Sequence, residues 1–164
     1  MSGPLDPTID TLIADAVLAH LRADEELADV LTGGVEAIEI EALLDEGAIS
    51  TPMLAVVLVR AGDIDRTIAQ HETILALYLV TEHLHTRGEG SPSWWRHRVL
   101  DHVTRELLAL EAELITQADV PFRYALGTAV QSSPRRLRPR DPAADSPYFA
   151  APLTLTFTTH REYP

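Results

Sequence analysis

The chain is 164 residues long, carries a formal net charge of −12, and contains neither cysteine nor lysine. That length suffices for one domain, spanning 1–164, to bury a core without staples. The lack of thiols excludes a disulfide framework, a cysteine nucleophile and a cysteine-held metal, and the negative charge argues against a broad nucleic-acid coat.

The opening residues MSGPLDPT hold no basic segment and lead into no apolar one, so no secretory signal is expected. The longest apolar runs, Met53–Val59 and Ile74–Val80, are seven residues each, against the roughly 20 that a membrane helix needs. A soluble, intracellular chain is the expectation. Charge is unevenly placed: net −11 over residues 1–50, −4 over 51–120 and +3 over 121–164. Poles of opposite sign suit head-to-tail contact between copies.

Asp6-Pro7 reads as the start of a first helix, with Asp6 as cap and Pro7 at the first helical position. Ile9, Leu12, Ile13, Ala16, Val17 and Leu21 give it one apolar stripe. Asp24-Glu25-Glu26 caps a further short turn that Gly33-Gly34 ends, so residues 1–31 form an N-terminal helical segment. Residues 32–50 are an acidic connector, read either as a short strand, since Val35 to Ile40 alternates, followed by a turn, or else as a ragged helix. Two strands follow, over 52–60 and about 67–81, joined through Gly62. Their apolar residues are consecutive rather than alternating, which places apolar surface on both faces of a sheet. In the second strand His71, Thr73, Leu75, Leu77 and Leu79 share one face, and Ile74, Ala76, Tyr78 and Val80 the other.

Ser91-Pro92-Ser93 opens a second long helix whose stripe is Trp95, Val99, Val103, Leu107, Leu110 and Leu114, ending near Thr116-Gln117. Phe122–Val130 reads as a third strand bulged near Gly127. Residues 131–147, with four prolines and four arginines, read as a long loop. LTLTFTT, 153–159, alternates strictly, with Leu153, Leu155 and Phe157 inward and Thr154, Thr156 and Thr158 outward. The order α-β-β-α-β-β predicts an α+β fold, a mainly antiparallel four-stranded sheet packed by two helices.

No GxGxxG, GxxxxGK[ST], GxSxG or HExxH occurs. His83 and His85 lie two apart after the second strand; His97 and His102 lie five apart on the second helix, a spacing that points them different ways. No metal site and no catalytic pair is assigned. Trp94 is a candidate partner anchor, since tryptophan is enriched at interface hot spots. Arg135, Arg136, Arg138 and Arg140 form a basic cluster suited to solvent, to a protein contact or to phosphates, in that order.

The runs TPMLAVVLVRAG and HETILALYLVTEH, the Trp-bearing helix, and a polar loop leading into PLTLTFTTHREY resemble the tail terminator (tail completion) proteins of long-tailed phages, the lambda-type siphophage family. The resemblance spans residues 50–164 and rests on the order and length of elements; the segments 32–50 and 131–147 are longer than the simplest members need. It implies a virion structural protein of the tail and neck, assembled in the host cytoplasm. Its copies would close into a homo-oligomeric ring, a hexamer, that caps the tail tube protein, stops tube polymerisation and presents its other side to the head-tail connector or stopper protein. It implies no catalysis, no cofactor and no membrane, and DNA passing through the ring without specific binding. A ring needs a heterologous contact; the face with Ile74 and Tyr78, together with Trp94 and the four arginines, supplies candidate patches. The alternatives are another neck or connector ring, a small α+β enzyme or ligand-binding domain with a pocket between sheet and helix that uses His83, His85 or nearby acids, and a nucleic-acid module using the arginine loop.

Overall fold

In the computed structural model the described residues are 8–45, 49–61, 70–82, 92–110, 114–117, 120–138 and 146–161. Helix α1 (Ile9–Arg22) is capped by Thr8, which exchanges hydrogen bonds with Thr11 in a capping box. Ile9, Ile13, Val17 and Leu21 recur at helical spacing and are all buried. Asp24 accepts from the Leu27 amide at 2.9 Å and caps the short α2 (Glu25–Val30). The chain then turns through Gly34, whose φ of +73° suits a residue without a Cβ. It enters β1 (Val35–Glu36) and the short α3 (Ile40–Asp45).

The long strands β2 (Met53–Ala61) and β3 (Gln70–Thr81) follow, then α4 (Pro92–Leu108). The hairpin strands β4 (Leu114–Gln117) and β5 (Val120–Gln131), the two-residue β6 (Arg135–Arg136) and β7 (Phe149–Arg161) complete the fold. The sheet runs β1-β2-β3-β7-β5-β4, with β6 also on β7. The β1–β2 pair is parallel and the other pairs are antiparallel. This is a mixed α+β fold, as the sequence predicts, with more strands than the expected four and two additional short helices.

Both faces of β2 and β3 are apolar and the two faces are treated differently. Ile13, Val17, Leu21, Val99, Val103 and Leu107 of α1 and α4 close over Leu54, Leu75, Leu77, Leu79, Leu153, Leu155 and Phe157. Each such side chain, removed from water, stabilises the fold by roughly 1.5–3 kcal/mol. On the second face α3 supplies Ile40 and Leu43, which with Leu137 cover Met53, Ala55, Val80 and Ala150. Among the described residues the cover stops there: Val57, Ile74, Thr154, Thr156 and Thr158 are half-buried and Val130 is exposed. The described residues therefore roof one face with the long helices and part of the other with the acidic connector and Leu137.

Several boundaries differ from the sequence reading. Thr8, not Asp6, caps α1, because its hydroxyl reaches the Thr11 amide; Asp6 and Pro7 lie outside the described residues. Helix α4 ends at Leu108 rather than near Gln117, and Leu114–Gln117 pairs with Val120–Arg123. The β-branched pair Ile115-Thr116 suits a strand better than a last helical turn. The connector carries both a strand and a helix, and the arginine segment carries β6 and a buried Leu137.

Candidate functional site

The predicted interface residues do not converge on one patch. Arg135 lies over the Tyr78 ring at 6.0 Å and Arg136 over the Phe149 ring at 5.6 Å. This anchors the two arginines of β6 to the half-covered face, each contact being a weak cation–π attraction at an exposed site. Arg138 is exposed, and Arg140 lies outside the described residues. Ile74 is half-buried on the same face as Tyr78, four residues away along β3. Trp94 is 68% exposed, but it sits on α4, against the opposite face of the sheet, so it does not join the arginines. Its neighbour Trp95 packs against the main core.

The histidines separate into distinct settings. His83 and His85 lie outside the described residues. His97 Nδ1 is 3.3 Å from the Gln131 side chain and His102 Nε2 is 3.0 Å from Asp24 Oδ2, so these two diverge as their spacing indicates. His71 is buried. Its Nε2 donates to Asp10 Oδ1 at 2.9 Å, and the Thr73 hydroxyl donates to the same oxygen at 2.6 Å. Asp10, His71 and Thr73 are all buried under α1, so this acid–imidazole pair is sealed from any substrate and ties the first turn of α1 to β3.

A second polar cluster spans three helices near the surface. Asp24, His102 and Glu106 offer ligand atoms that lie within 4.8 Å of one another. His20 Nε2 stands 3.2 Å from Glu106 Oε2, and Glu26 Oε2 stands 3.6 Å from His102 Nδ1. Burial pushes the Asp24 carboxyl up, but the Leu27 amide and His102 outweigh it and hold the group below the usual aspartate range. Sequence reasoning weighed His102 against His97; the signal available was the i,i+4 spacing of His102 and Glu106, which puts both on one helix face.

The sheet itself is unfinished at both edges. β1 pairs only with Leu54 and Ala55, so the outer side of β2 from Val56 to Ala61 has no strand beside it among the described residues. A cleft of about 260 Å³ runs along it, lined by Val56, Val57 and Leu58 and flanked by Asp15 and Glu39. At the other edge β4 pairs only with Val120–Arg123, leaving the outer side of β5 from Tyr124 to Gln131 open among the described residues. Val59 and Val130, one on each open edge, are both 56% exposed.

The described residues contain no helix long and apolar enough to cross a membrane. No protein-family model matches the chain, and no curated protein sequence matches it.

Proposed function

We propose that the chain is a structural subunit that joins copies of itself edge to edge into a closed ring, acting as the tail terminator of a long-tailed phage. The observation that carries the ring is the fit between the two open edges. Following the register across the sheet, Val56 is level with Leu77, Leu153 and Gln131. Ala61 is level with Thr73, Phe157 and Leu126. The open stretches of β2 and β5 thus stand at the same height, with β1 paired beyond one end of the first and β4 beyond the opposite end of the second.

Three antiparallel steps separate β2 from β5, so they run in opposite directions. A neighbour set alongside in the same sense would offer β5 antiparallel to β2 and continue the sheet by main-chain hydrogen bonds. Such a contact is heterologous, and it forms a ring when rotation closes it. The six-fold ring, the tail tube and the head connector as partners follow from the resemblance of residues 50–164.

Light scattering at rising concentration should show a discrete oligomer. Val59→Lys and Val130→Lys each place a charge on one exposed edge position and should give monomers with unchanged circular dichroism. Mixed together, the two variants should form a dimer and nothing larger, since each retains the edge the other lacks. Added to polymerising tail tubes, the wild-type chain should halt their growth. A strict monomer at every concentration and in the presence of tubes would refute the ring. A ring that leaves tube growth unchanged would move the assignment to another neck component.

A further inference from the structure

We infer that Asp24, His102 and Glu106 form a binding site for a divalent first-row transition metal, with zinc as the ion its ligand chemistry fits. The three offer one imidazole and two carboxylates whose ligand atoms lie within 4.8 Å of one another, so that small side-chain rotations would bring them onto one ion at bond lengths of about 2 Å. His102 and Glu106 stand one turn apart on α4, and Asp24 reaches them from the cap of α2, so rigid helical elements carry all three. An imidazole among the donors selects against magnesium and calcium, which take oxygen ligands.

The surroundings resemble the outer support of a metal centre. Asp24 Oδ1 is held by the Leu27 amide at 2.9 Å, which leaves Oδ2 aimed at His102. Glu106 Oε2 lies 3.2 Å from His20 Nε2. Glu26 stands 3.6 Å from His102 Nδ1, on the ring nitrogen opposite the one facing Asp24. A ligating histidine commonly has a carboxylate on that side, fixing the tautomer that points Nε2 at the metal. Charge points the same way: three carboxylates, Asp24, Glu26 and Glu106, face two imidazoles, so even full protonation leaves one negative charge. A bound dication would neutralise the Asp24 and Glu106 ligands and pin α2 to α4.

The test uses the untagged full chain, stripped with a chelator and titrated with zinc chloride at neutral pH by calorimetry. One zinc per chain should bind saturably and raise the melting temperature, and cobalt in its place should give visible d–d absorption. His102→Ala and Glu106→Gln should abolish both signals. His97→Ala, which lies outside the cluster, should leave binding unchanged. Should His102→Ala fail to fold, Glu106→Gln keeps the test decisive, because that side chain is 36% exposed. No saturable zinc binding, or binding that survives Glu106→Gln, would overturn the assignment.

Discussion

The buried trio under α1 gives the sharpest test of the packing argument. Asp10→Ala removes one oxygen that accepts from both His71 Nε2 at 2.9 Å and the Thr73 hydroxyl at 2.6 Å. The donors cannot turn to water: Thr73 is 0% and His71 7% exposed. A buried donor left without its acceptor costs roughly 1–3 kcal/mol, so two of them place the loss at about 2–6 kcal/mol. That is a large share of the roughly 5–15 kcal/mol that holds a domain together. Thr73→Val removes one donor and leaves the carboxylate paired with His71, so it should cost about 1 kcal/mol. Together the two changes should cost less than their sum, because Thr73 no longer has a hydroxyl to orphan. Urea melts at one fixed protein concentration measure all three. A loss below about 1 kcal/mol for Asp10→Ala, at an unchanged m-value, would show that the trio is not the tie between α1 and β3 described above.

Three further outcomes follow from local geometry. A Cβ on Gly33 would run into the Ser50 carbonyl oxygen and stand 2.8 Å from Met53 Cβ, whereas one on Gly34 meets nothing within 4 Å among the described residues. Gly33→Ala should therefore cost more than Gly34→Ala, which bears only the left-handed strain of about 1–2 kcal/mol; comparing their thermal midpoints decides it. Thr159 is 1% exposed and its hydroxyl has no hydrogen-bond partner among the described residues, so Thr159→Val should leave stability equal or raise it by about 1 kcal/mol in the same melts. Asp24 has a lowered folded pKa, so its stabilisation is complete above the ordinary aspartate value and disappears as pH falls through the lower folded one. Asp24→Asn keeps the cap, so its deficit in urea midpoint at neutral pH should vanish once the medium is more acid than that folded value.

What was legible in the sequence was what local pattern decides. The α1 stripe, the Asp24 cap, the continuous apolar runs of β2 and β3, the alternation of β7 and the irregularity near Gly127 all appear where their residues place them. What escaped was decided by partners far along the chain. Leu114 suits a helical stripe, and it is a strand residue because Arg123 stands opposite it in the hairpin. Arg135-Arg136 has no strand signature, and it pairs because Phe149–Ala150 offers β7's free end beyond β5. The polar clusters were hidden for the same reason. His71 meets Asp10 across 61 residues and His102 meets Asp24 across 78, distances over which no spacing rule acts. The arginine cluster was visible as exposed charge; the seating of Arg135 over Tyr78 depends on where β7 carries β6.

The two bulges bear on whether the open edges meet each other or only avoid others. An irregular edge strand commonly discourages stray pairing, and both edges are irregular here, β2 between Leu58 and Arg60 and β5 between Leu126 and Thr128. Each irregularity adds one residue, and the two fall in adjacent intervals of the sheet, on either side of the Ile74–Thr156 row. Val56–Ala61 and Leu126–Gln131 therefore each spend six residues on the five rows that β3 covers with Thr73–Leu77 and β7 with Leu153–Phe157. Neither edge keeps step with a regular strand, yet the two keep step with one another, from Val56 beside Gln131 to Ala61 beside Leu126. Deleting Val59 alone, or Gly127 alone, should break that match and lower oligomer content in light scattering while the helices persist by circular dichroism. Deleting both should restore assembly. Two single deletions that assemble as well as the intact chain would mean that the copies meet somewhere other than these edges.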